Sequence, residues 1–253
     1  MSNRIGVMLS SELVPGHSTL AVDIAQLCES RGLDTTTVQS LIDDAPPSWW
    51  GQGDARVLAG DLALLGPGIG AEGVRNRITA GTGATWQLAI VTVDRIGAFA
   101  TTCATVVEYG LSILEARAAS WTAHGLALQH LTVVPVEKLL SGEPDWPTIG
   151  LGLRAALVKP ILTVEGANTL PDGCVISSIT QPVGASNGSG IWTVEITGPD
   201  TVGLLAEVTR TLTALGVDIL SAEVTSNSGV ALDTFTVRLT DPAGISALKA
   251  LAV

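Results

Sequence analysis

From Trp86 to Asp94 the chain is almost continuously apolar, with Leu88, Ile90 and Thr92 alternating against Ala89, Val91 and Val93. This pattern predicts a mostly buried strand. The period then lengthens: Phe99, Cys103, Val106 and Val107 fall at helical spacing and predict a helix over 98–109. Gly110 supplies its left-handed stop. Residues 111–121 and 126–134 read as two further strands around a turn at His124-Gly125. After a polar loop, Asp145 is placed to cap a helix running to Val158, with Pro147 in its first turn.

The same order returns downstream. A strand is predicted at Ile191–Thr197 and a helix at Val202–Leu215, with Leu204, Leu205, Val208, Leu212 and Leu215 as its apolar stripe. Asp218–Ser226 and Val230–Leu239 form a hairpin around Asn227-Ser228-Gly229, and a last helix covers 245–251. Asp94 and Asp200, Gly97 and Gly203, and Gly110 and Gly216 are each 106 positions apart. A repeat kept in register at three turn positions marks duplicated modules. Ahead of each copy, 74–79 and 175–180 read as an extra edge strand that completes a four-stranded sheet. Gly184–Gly190 is expected to be a flexible hairpin loop.

The first 72 residues follow the phrase less closely. Ile5–Ser11 is strand-like, and Ser18–Arg31 helix-like with Leu20, Ile24 and Leu27 on one face. Gly32-Leu33-Asp34 resembles the later glycine stops, and the β-branched stretch Thr35–Ile42 is expected to be a strand. Asp54–Leu65 is the counterpart of the Asp145 helix. The expectation is a degenerate copy of the same module, or an accessory module, at 1–72, followed by modules at 73–165 and 166–253.

The chain carries a net charge of −11 with 13 Lys plus Arg. Nucleic acid needs a basic footprint and is not an expected partner; anionic membrane surfaces are disfavoured equally. No apolar run approaches the length of a transmembrane helix, and the N-terminus does not read as a secretory signal. Cys28, Cys103 and Cys174 are odd in number and scattered, as expected of thiols in a reducing cytoplasm.

Val93–Ala100 and Gly198–Ala206 resemble the first turn of ACT domains, small βαββαβ modules that bind amino acids and regulate metabolic enzymes. Gly216–Thr225 followed by Gly229–Val237 resembles the ACT hairpin. The resemblance implies an α+β fold: ferredoxin-like ACT modules in tandem, antiparallel sheets with helices on one face, joined within the chain or across a homodimer. The arrangement is similar to the C-terminal pair of bacterial PII uridylyltransferases, without their nucleotidyltransferase or phosphohydrolase motifs. Tandem ACT modules also resemble the front of some phosphoserine phosphatases, whose Asp-x-Asp nucleophile loop is absent here.

An Asp-x-x-Gly turn joins a strand end to a helix N-terminus, where free N–H groups and the helix dipole favour a carboxylate. An amino acid offers that carboxylate and an ammonium, which Asp94 or Asp200 can receive. The candidate ligand-binding residues are Asp94, Arg95, Ile96, Gly97 and Ala98 in one turn, and Asp200, Thr201, Val202, Gly203 and Leu204 in the other. In the family the ligand lies between such a turn and the second strand of a neighbouring module, which adds Leu111–Ile113 opposite one turn and Asp218–Leu220, with Asp218 and Ile219, opposite the other. An Asp before a helix is also an ordinary N-cap.

No catalytic set emerges, and no metal or cofactor is expected. His17, His124 and His130 lie apart, with His124 expected on the surface and His130 packed. Gly68-Ile-Gly70-Ala-Glu-Gly73 matches a dinucleotide-binding spacing but follows a helix rather than a strand. Trp49-Trp50 beside Pro46-Pro47 is a candidate partner-binding corner. The expected function is a non-catalytic cytoplasmic amino-acid sensor acting on a regulated enzyme, with glutamine the first ligand to try. The alternative is a structural interaction module with non-functional pockets.

Overall fold

The computed structural model describes residues 17–66, 69, 73–137, 143–159, 169–182, 190–239 and 241–251. Its centre is one antiparallel sheet of eight strands: β1 (Arg75–Ala80), β2 (Trp86–Val93), β3 (Leu111–Trp121), β4 (Leu126–Pro135), β5 (Val175–Thr180), β6 (Ile191–Pro199), β7 (Asp218–Asn227) and β8 (Val230–Arg238). The order across it is β1-β2-β4-β3-β7-β8-β6-β5. The two halves therefore repeat one order and meet where β3 pairs with β7, Ala118 lying opposite Ala222. The anticipated leading strands form the two outer edges, each antiparallel to the first strand of its own half. The sheets join within the chain.

α5 (Ala98–Glu108) and α7 (Leu204–Ala214) connect the strands of each half, while α6 (Trp146–Val158) and α8 (Pro242–Ala250) follow them. Asp145 caps α6 as expected, accepting from the Thr148 N–H. These helices cover one face. Phe99, Cys103 and Val106 of α5 and Leu205, Val208 and Leu212 of α7 enter a single core shared by both halves. The division expected at residue 165 lies outside the described residues.

The N-terminal region departs from expectation. Its described part is helical: α1 (His17–Ser30), α2 (Thr35–Asp43), α3 (Pro47–Trp50) and α4 (Ala55–Leu65). Thr35–Ile42 is not a strand. Asp34 accepts from the Thr37 N–H at 2.7 Å and its hydroxyl at 2.7 Å, starting a helix, and Val38, Leu41 and Ile42 share its buried face. A cap together with helical spacing outweighs β-branching, whose propensity is weak and context-dependent. Gly32 is still the left-handed stop after α1, but a helix follows it. The strand-like Ile5–Ser11, the glycine-rich 184–189 loop and most of Gly68–Gly73 lie outside the described residues.

The N-terminal helices also correct the expectation of helices on one face. Ile24, Leu41, Trp49, Leu58 and Leu62 pack with Val91, Ala119, Trp121 and Leu128 on the second face of the first half. Trp121 donates its indole N–H to the Leu41 carbonyl at 2.9 Å, and Trp49 lies edge-on to it, 5.5 Å away. Trp49 and Trp50 are buried, so they anchor this layer rather than offer a partner-binding corner. β2 lacks strict alternation because both its faces are covered.

Candidate functional site

Each Asp-x-x-Gly turn is tied to the hairpin beside it. Asp94 N–H donates to the Gly125 carbonyl at 2.8 Å, and Asp200 N–H to that of Gly229 at 2.9 Å. The glycines then turn left-handed, Gly97 at φ 81° and Gly203 at φ 88°, which a Cβ would strain. They are the N-cap residues, and neither helix has a side-chain cap. The ordinary N-cap reading of Asp94 and Asp200 is therefore not realised. The first N–H groups of α5 and α7 are left without a side-chain acceptor at the positive ends of the helix dipoles.

A small cavity lies at each turn, and the two correspond residue by residue. One is bounded by Asp94, Arg95, Gly97 and Ala98, with Ala118, Ser120, Ala127 and Gln129 beneath and Ile219 reaching in from β7. The other is bounded by Asp200, Thr201, Gly203 and Leu204, with Val224, Ser226, Ala231 and Asp233 beneath and Ile113 reaching in from β3. Each half thus completes the other's cavity. Each has a volume of about 10 Å³, room for roughly one water.

The candidate residues take different positions. Ile96 and Val202 are exposed and line neither cavity. Arg95 donates to the Leu157 carbonyl at the end of α6, where a cation is favoured by the dipole; its Nε is buried without a partner. Asp94 accepts from the Ser120 hydroxyl at 3.0 Å. Burial pushes its carboxyl above the usual range, assisted by the charge of Asp218 and opposed by Ser120 and Arg238. Asp218 lies 3.4 Å from Arg238 and outside the cavity lining; burial raises its carboxyl too, with Arg238 opposing. Asp200 is exposed at its cavity mouth.

Two residues that sequence reasoning passed over sit on the cavity floors. Asp233 is 3% exposed, and its Oδ1 has no hydrogen-bond partner. Burial, reinforced by the charge of Asp200, raises its carboxyl to about 7. Gln129 occupies the matching place on β4, is 1% exposed, and its Oε1 is likewise unpartnered. The signal was present: in Val230–Arg238 the aspartate falls among the inward positions of an alternating strand, where a charge is costly.

The two strand–helix turns and their cavities thus lie in the two halves of one continuous antiparallel sheet that meet where β3 pairs with β7. Residues 192–251, from β6 to the end of α8, match the ACT domain family model. ACT domains are regulatory modules that commonly bind amino acids. No curated protein matches the chain. Among the described residues no helix is long and apolar enough to cross a membrane, and no cluster of potential metal ligands occurs.

Proposed function

We propose that 73–165 and 166–253 are a tandem of ACT modules, and that the chain is a non-catalytic regulatory protein. It binds an amino acid at the strand–helix turns, and a partner enzyme reads the resulting change. The observation that carries this reading is the unpartnered buried acceptor at the base of each cavity, Gln129 in one and Asp233 in the other, facing uncapped helix N–H groups. An α-amino acid matches that polarity, its carboxylate to the N–H groups and its ammonium to the acceptors. Because residues of both halves line each cavity, a ligand that opens one works on the β3–β7 junction and differs in affinity between the open and closed states.

The size of the cavities favours a second reading, an interaction module whose pockets stay closed. A thermal-shift screen of the twenty amino acids, beginning with glutamine, separates the two. A sensor is stabilised by one or a few of them, increasingly with concentration, and loses the effect in Asp94→Ala or Asp200→Ala. A flat screen supports the interaction module. Sedimentation of the free and liganded protein tests for a homodimer.

A further inference from the structure

We propose a second binding site, for a small oxyanion-bearing metabolite, between the N-terminal helices and the outer face of the first half of the sheet. A cavity of about 310 Å³ opens there, lined by Arg31, Arg56, Arg77 and His130 together with Thr79 and Gln87. Its volume suits a small molecule. In a chain with 13 Lys plus Arg and a net charge of −11, three guanidiniums around one cavity form a concentrated positive field.

The sheet builds part of this site as a row. Arg77 of β1 lies opposite Ala89 of β2, Ala89 opposite His130 of β4, and His130 opposite Arg117 of β3. Between Arg77 and His130 the row carries only the methyl of Ala89. Behind them, buried Asp61 of α4 holds both, with Arg77 Nη2 at 3.2 Å and His130 Nε2 at 3.1 Å. The Trp49 indole N–H donates to the same carboxylate at 3.2 Å. Gly60 makes room for this arrangement: a Cβ there would stand 2.7 Å from Arg77 Nη1. A glycine inside a helix is less favourable than alanine, and here the guanidinium fills the space that a side chain would take.

Asp61 answers Arg77. Among the described residues no carboxylate forms an ion pair with Arg31 or Arg56. Both are exposed at the cavity rim, free to close on a ligand. The planar fork of arginine suits carboxylate and phosphate oxygens alike, so the shared chemistry is an oxyanion, with Thr79 and Gln87 offering neutral polar contacts. An adjoining cavity of about 240 Å³ shares Gln87 and His130 but adds Glu115 beside Arg117, two charges that offset, so the anion belongs at the Arg31–Arg56 end. This site shares no residue with the cavities at Asp94 and Asp200, and its test is independent of the amino-acid reading.

The test is isothermal titration of the intact chain at low salt with pyrophosphate and with citrate. Saturable binding of either is expected, weakened by added salt. Arg31→Ala/Arg56→Ala should raise Kd roughly tenfold or more, while Arg154→Ala on α6 leaves it unchanged. Preference for pyrophosphate assigns a phosphate-bearing metabolite, and preference for citrate a polycarboxylate. Failure of both probes to saturate overturns the proposal, as does equal binding by the double variant. Unchanged binding in Asp94→Ala/Asp200→Ala separates this result from failure of the sensor reading.

Discussion

Across the first half of the sheet, one row of the outer face reads Val91, Leu128, Ala119 and the next reads Ala89, His130, Arg117. The corresponding rows of the second half read Thr197, Leu232, Thr225 and Glu195, Thr234, Glu223. The backbone order is the same, and the chemistry is reversed. The apolar row of the first half is buried under α1–α4, and its second row is basic. In the second half Leu232 and Thr225 are exposed and the second row is acidic. Duplicated scaffolds of one topology can therefore present unlike surfaces, because side chains on one face of a strand change without disturbing the opposite face that packs the shared core. The cavities differ in the same manner, a neutral amide in the first half and a carboxylate in the second.

Removing the covering layer's polar anchor gives the largest expected effect. Asp61→Ala leaves the Trp49 N–H buried and unpaired and frees Arg77 and His130. A loss of about 2–4 kcal/mol is expected, the Arg77 and His130 side chains being partly open to water. Urea unfolding measures the loss. Hydrogen exchange should rise first in β2 and β4, not in β6 and β8; uniform exchange would mean that the halves do not differ in this respect.

The cavity floors give the next effect. Asp233 has a folded-state pKa raised to about 7. The folded chain therefore holds a proton that the unfolded chain releases near pH 4, and stability falls as pH rises from about 4 to about 7. The fall is at most about 4 kcal/mol. Asp233→Asn should abolish this slope and be the more stable form at pH 8. Gln129→Glu should introduce a similar slope in the first cavity. Urea midpoints at pH 5.5 and pH 8 report both, and a wild-type midpoint that does not decline with pH would contradict the burial argument.

The turn aspartates differ least. Asp94→Ala loses the Ser120 hydrogen bond and should cost about 1 kcal/mol. Asp200→Ala, at an exposed position without a side-chain bond, should stay within about 0.5 kcal/mol. Equal costs, read from thermal midpoints, would show that the two turns are more alike than their contacts indicate.

Local patterns made much of this architecture readable. Strands and helices from Trp86 onward follow from periodicity, and the Asp-x-x-Gly turns from a repeat held at fixed spacing. The glycine stops are local too, because a positive φ selects glycine at the residue itself. Thr35–Ile42 is equally local, and there β-branching misleads: Asp34 three residues before Thr37 is a cap, and Val38, Leu41 and Ile42 keep helical spacing. The family resemblance puts Leu111–Ile113 and Asp218–Leu220 opposite the turns, and of these Ile113 and Ile219 line the cavities.

The chain's order of residues thus sets its elements, its turns and its two-fold repetition, since each depends on neighbours a few positions away. Tertiary structure alone decided that β3 and β7 close the two halves into one sheet, that the N-terminal helices cover the second face of the first half, and that Gln129 and Asp233 lie unpaired beneath the turns. It also brought Arg31 from the turn after α1, Arg56 from α4 and Arg77 from β1 to one cavity. Those outcomes depend on packing between segments distant in sequence, where burial and strand register set which side chains meet.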